Sequence, residues 1–192
     1  MELIFIRHGQ GEHTLNLPES LHLDNPALTT QGRMQAKKLR WTLPLTPEDV
    51  LIVSPTLRTL QTASIWSENI DCAKVVHPLV APRIFPARQT ATTLPCDELL
   101  GLERLYNEFS DFTLAPNLAA SLWSTGINIL KEDEFNLLIE EFISFCRNFQ
   151  RERIYIVTHD GTATSYRQQV LGQQLTREDF LQETERFHLV VE

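Results

Sequence analysis

"LIFIRHGQ", residues 3–10, runs four apolar residues straight into a fixed cation and an imidazole. Leu3 to Ile6 shows no polar alternation, the pattern of a strand buried on both faces of a parallel sheet. Such a strand ends at the edge of the sheet, where a folding argument alone would ask for polar turn residues. Arg7 and His8, with Gly9 directly behind them, point to a site instead.

The same kind of run recurs along the chain. Residues 50–54 (VLIVS) and 153–157 (RIYIV) are apolar without alternation, and shorter runs stand at 2–6, 74–77 (KVVH) and 187–191 (FHLVV). Between them lie helical patterns. Residues 30–41 follow a Thr-Thr start and carry Met34, Ala36 and Leu39 among cations. Residues 56–67 begin after Pro55 and carry Leu57, Leu60, Ala63 and Ile65. Residues 133–150 place Phe135, Leu138, Ile139, Phe142 and Phe149 on one stripe, behind an acidic start suited to the positive end of a helix dipole. Strands alternating with helices define an α/β fold, with a mostly parallel central sheet and helices on both faces.

The stretch 79–128 breaks the pattern. It holds four of the ten prolines and no clear strand, and reads as a long insertion over one end of the sheet, on the substrate side. There is no repeat, low-complexity tract or linker, so residues 1–192 read as a single domain.

Composition narrows the partners. With 192 residues, 42% of them hydrophobic and 22% charged, the chain can bury a proper core. Its net charge of −8 argues against nucleic acid and anionic membrane surfaces, so an anionic ligand needs a local concentration of positive charge. No apolar run approaches the roughly 20 residues of a membrane helix, and a strand beginning within two residues of Met1 leaves no room for a signal peptide. Cys72, Cys96 and Cys146 form no CxxC or metal-like cluster and suit a reducing compartment. The expected location is cytoplasmic. Nothing in the sequence sets the oligomeric state.

In an open α/β sheet, ligands gather at the carboxyl ends of the strands. Three of the five runs deliver suggestive residues there. The first gives Arg7, His8 and Gly9; the second gives Ser54 and Pro55, with Arg58 one turn into the next helix. The fourth gives Thr158, His159, Asp160 and Gly161. Parallel strands would converge two arginines and two histidines on one spot, and glycines behind the histidines would let backbone amides approach a ligand. Guanidiniums offer planar paired donors to a tetrahedral oxyanion, so a phosphate or sulfate is the natural guest. One histidine, if neutral, can attack phosphorus while the other donates to the transferring group. His13, His22, His77 and His188 lack a comparable setting and read as structural or surface residues.

"IRHGQGEHT", "LTTQGRMQAKKL", "VSPTLRTLQTA" and "IVTHDGT" together resemble the histidine phosphatase superfamily, the phosphoglycerate mutase-like family, in order over residues 2 to about 171. The resemblance implies a mostly parallel α/β sandwich and a metal-independent reaction through a phosphohistidine, with no cofactor. His8 would be the nucleophile, with Arg7, Arg58 and His159 forming the phosphate pocket. Leu28, Thr29, Gly32 and Gln35, and Thr62 and Ala63, would be structural. The implied function is phosphatase action on a phosphorylated small molecule or phosphoprotein. A mutase-type phosphoryl transfer and a non-catalytic phosphate-binding module are the alternatives.

Two positions depart from the family pattern. Thr14 stands where the family commonly has a phosphate-holding Asn; its hydroxyl can donate one hydrogen bond, and Asn16 lies two residues on. Gln89, by its spacing from "PCD" at 95–97, falls where phosphatases and mutases usually carry a glutamate, and glutamine cannot protonate a leaving alkoxide. Asp97, Glu98, Glu12 and Asp160 are the carboxylates that could take over, although Asp97 and Glu98 read more readily as a helix start. Without an acid, good leaving groups are favoured.

Overall fold

The computed structural model describes residues 1–88 and 90–191, leaving Gln89 and Glu192 outside the description. Its sheet has six strands in the order β4-β3-β2-β5-β1-β6. They are β1 (Glu2–Arg7), β2 (Val50–Val53), β3 (Ala73–Val76), β4 (Thr113–Leu114), β5 (Arg153–Thr158) and β6 (Arg186–Val190). All neighbours pair in parallel except β6, which runs antiparallel along β1. The fold is the α/β class expected.

Because side chains alternate across a strand, each central strand feeds two cores. Leu3, Phe5, Ile52, Ile154 and Ile156 face one side. They meet α5 (Glu132–Arg147) and α6 (Asp160–Leu171) through Phe135, Phe142 and Tyr166. Ile4, Ile6, Leu51, Val53 and Val157 face the other side, against α1 (Thr30–Thr42) and α2 (Leu57–Trp66), whose Leu39, Leu60 and Trp66 are buried. Each fully buried Leu, Ile or Phe adds about 1.5–3 kcal/mol of transfer free energy. Capping sets several helix ends. Thr29 accepts the Gly32 N–H at the start of α1 through its hydroxyl, at 3.0 Å, and Gly172 at φ 63° ends α6.

The stretch 79–128 differs from expectation. It holds α3 (Leu102–Glu108), α4 (Ala120–Thr125) and the short strand β4, which extends the sheet beyond β3. Two residues are too few for any periodicity to show. Among the described residues, the part of it that lines the cavity at the strand ends runs from Pro82 to Asp97, while Leu105 and Phe112 complete the second core.

The register places the site. Arg7 pairs with Thr158 and Val53 with Val157, so β1, β2 and β5 end at one level. His8 N–H donates to Thr158 O at 3.0 Å and Ser54 N–H to Val157 O at 3.0 Å, which carries the ladder one residue past each strand.

Candidate active site

Arg7, His8, Arg58 and His159 all line one cavity of about 660 Å³ at these strand ends. His8 is 2% exposed. Its Nδ1 lies 2.7 Å from Gly9 O, which can only accept, so Nδ1 carries the proton. Nε2 is left with a lone pair and takes the Arg58 Nε–H at 3.2 Å. Burial, and next the charge of Arg58, hold the His8 pKa well below 6.5. The imidazole is therefore neutral at pH 7, with Nε2 as its basic atom.

Arg58 is the hub. It sits on the first turn of α2, 1% exposed. Besides His8, its Nη1 donates to Cys96 O at 2.6 Å, and its Nη2 reaches both Asp97 Oδ1 at 2.9 Å and His159 Nδ1 at 3.2 Å. A guanidinium cannot accept, so His159 Nδ1 is the acceptor and Nε2–H donates to Ser54 Oγ at 2.8 Å. Burial, with Arg58 beside it, pushes the His159 pKa well below 6.5.

Arg7 is held at its tip. Its Nη1 donates to Leu181 O at 2.7 Å, and Nη2 pairs with Asp160 Oδ2 at 3.0 Å. Its Nε is buried and has no partner among the described residues. An unpaired cationic donor is costly in a native structure unless a ligand meets it. Two guanidiniums, each fixed by one carboxylate, thus face three uncharged imidazoles, leaving room for an incoming anion's charge.

The third imidazole is His13, which sequence reasoning placed among the structural or surface residues. A single turn, Glu12–Thr14, folds it back into the cavity, its ring centroid 5.5 Å from that of His8. Its pKa falls to about 3 through burial, then Arg58 and Arg7, and its Nδ1 is buried without a partner among the described residues. The one available signal was Gly11: a Cβ there would lie 2.6 Å from the His13 ring, so the missing side chain makes the space.

The glycines next to the histidines serve the backbone. Gly9 N–H donates to Thr62 Oγ1 at 3.2 Å, and a Cβ would stand 2.5 Å from Gly32 O; at Gly161 it would stand 2.2 Å from Arg83 O. Thr14 lines the cavity, but its hydroxyl donates to Gly11 O at 2.8 Å, and Asn16 is exposed. Leu28, Thr29, Gly32 and Gln35 brace the first loop: Gln10 N–H donates to Gln35 Oε1 and Leu28 N–H to Gln61 Oε1. Gln89 lies outside the described residues. Arg83, Phe85 and Arg88 reach the cavity wall, whereas Trp123 packs on the second core. Among the described residues, no group of three His, Cys, Asp or Glu could hold a metal ion.

The geometry gathers two guanidiniums around a neutral buried histidine at the C-terminal ends of the parallel strands. By sequence, residues 3–83 match the model of the histidine phosphatase superfamily (branch 1). No curated protein matches the chain. Among solved structures, the alpha-ribazole phosphatase of Shigella flexneri is 20% identical at a TM-score of 0.61, covering 100% of this chain and 91% of its own. A mutant phosphoserine phosphatase from Entamoeba histolytica, in complex with phosphoserine, is 19% identical at 0.61, over 98% and 90%. A mycobacterial glucosyl-3-phosphoglycerate phosphatase complexed with VO3 is 16% identical at 0.59, over 98% and 92%. The resemblance to the histidine phosphatase superfamily stands on sequence over residues 3–83 and on fold over nearly the whole chain.

Proposed function

We propose that the chain is a phosphatase, one domain over residues 1–192, that transfers a phosphoryl group to His8 Nε2 and then to water. The observation that carries this reading is the protonation state of His8: Nδ1–H is fixed on Gly9 O, which leaves the Nε2 lone pair between cations. Arg58, together with the unpaired Arg7 Nε, would stabilise the charge gathering on the phosphoryl oxygens. The charge of an incoming phosphate would favour the protonated form of His159, whose Nδ1–H would then donate to the same oxygens. Every group this chemistry needs is an organic side chain, so the reaction is proposed to be metal-independent.

The substrate is proposed to be a phosphorylated small molecule or phosphoprotein, in keeping with the phosphoserine bound by the Entamoeba histolytica structure. No described helix is long and apolar enough to cross a membrane. The three buried, unpaired cysteines support a reducing, cytoplasmic setting. The experiment is hydrolysis of p-nitrophenyl phosphate with EDTA present, by wild type and His8→Ala. Activity that survives EDTA and disappears in the variant is expected. Activity persisting in His8→Ala contradicts the assignment of the nucleophile, and an inactive wild type favours a non-catalytic phosphate-binding module.

A further inference from the structure

Two carboxylates line the cavity among the described residues, Asp97 and Asp160, and their situations differ. Asp160 has both oxygens engaged: Oδ2 with Arg7 at 3.0 Å, and Oδ1 accepting the Gly161 N–H at 2.6 Å. Asp97 engages only Oδ1, with Arg58 Nη2 at 2.9 Å; its Oδ2 has no hydrogen bond among the described residues. The carboxylates raised by the sequence elsewhere fall away. Glu12 accepts the Ala27 N–H from an exposed position, and Glu98 is exposed. Nor does Asp97 begin a helix. It closes the single turn Pro95–Asp97, which hangs it over the cavity.

Arg58 ties Asp97 to the reacting centre, since one guanidinium touches His8 Nε2, His159 Nδ1 and Asp97 Oδ1. The three imidazoles are poor proton sources here, because burial, and after it Arg58 and Arg7, disfavour their charged forms. Asp97 lies on the other side of that balance. Burial raises its pKa above the ordinary aspartate value, Arg58 opposes the rise, and Asp160 adds to it. An incoming phosphoryl dianion would draw on Arg58 and add like charge beside the carboxylate, both favouring its acid form.

We propose that Asp97 is the proton donor of this site, acting on the leaving oxygen of a phosphate monoester; the proposal rests on the phosphatase reading above. As His8 Nε2 forms its bond to phosphorus, the P–O ester bond breaks, its electron pair goes to the leaving oxygen, and the Asp97 proton completes the alcohol. In the second half, water attacks phosphorus, the N–P bond breaks back to His8, and the Asp97 carboxylate takes the water's proton. The cycle returns both residues to their starting forms. The substrate class widens accordingly. Alkyl phosphates, whose alkoxides are poor leaving groups, become substrates even with glutamine at position 89.

The test is a leaving-group series from p-nitrophenyl phosphate to alkyl phosphates, run on wild type, Asp97→Asn and Asp97→Glu, with quench-trapping of phosphohistidine. Asp97→Asn is expected to lower kcat on alkyl phosphates by about 10²–10⁴-fold and on the aryl ester by far less, steepening the dependence on leaving-group pKa. Asp97→Glu should recover part of the alkyl activity. Equal losses across the series, with wild type forming phosphohistidine, would overturn the donor role and leave Asp97 as a prop for Arg58. A wild type that neither turns over nor traps phosphohistidine would overturn the phosphatase reading, and the donor with it.

Discussion

Three strands of this sheet hand the chain directly to a histidine: β1 to His8, β5 to His159 and β3 to His77. His8 and His77 are the instructive pair. Both are buried, at 2% and 1% exposure, and burial lowers both pKa values. His77, at about 3, is a finished structural residue: its Nδ1 accepts the Leu79 N–H at 3.1 Å, and its ring stands edge-on to Phe142 and Phe145. No cation shares in its shift. His8 differs in company, with Arg58 on its free nitrogen and the unpaired Arg7 Nε in the same cavity. Burial makes an imidazole neutral; on the proposed function, converging guanidiniums would bring phosphate to that neutral imidazole.

Substituting each histidine breaks the comparison most sharply. His8→Ala should lower kcat by about 10³-fold or more, as removal of a nucleophile does. His77→Ala should leave kcat within about threefold in the folded protein and instead cost about 1–3 kcal/mol of stability, read by urea unfolding. Next in size is Arg58→Lys. A single ammonium cannot hold His8, His159, Asp97 and Cys96 O together, so kcat should fall by about 10²–10³-fold. His13→Ala is milder. Loss of one hydrogen bond to a charged ligand should weaken inorganic phosphate as a competitive inhibitor by about tenfold.

A further effect concerns pH. His13 and His77 both titrate near 3 in the fold against about 6.5 unfolded. The unfolded chain therefore binds more protons between those values, and stability falls as pH drops from about 6.5 toward 3. His77→Gln should flatten that fall when urea midpoints are compared at pH 7 and pH 4. An unchanged slope would mean that His77 does not titrate as its surroundings dictate.

The comparison also marks what the sequence could convey. Continuous apolar runs gave away β1, β2 and β5 to within a residue, because burial on both faces leaves no room for polar positions. The four residues that meet in the cavity were legible for the same reason: each follows a recognisable strand or begins the helix after one. β4 was not legible, being two residues that pair only because β3 offers an edge. His13 and Asp97 were misread because each reaches the cavity through a single turn, and one turn has no period to detect. Gly9 and Gly161 stood out as small residues following the histidines, and in the fold they also let α1 and the chain near Arg83 come close.

His8, and not its buried counterpart after β3, is the residue proposed to carry the phosphoryl group. The direct measurement is to quench a reaction with labelled phosphoryl substrate in alkali and map the modified peptide by mass spectrometry. The expected result is an alkali-stable, acid-labile phosphate on Nε2 of His8, absent from His77 and from His8→Ala. Label on another residue, or steady turnover with no label on His8 at any quench time, would contradict it.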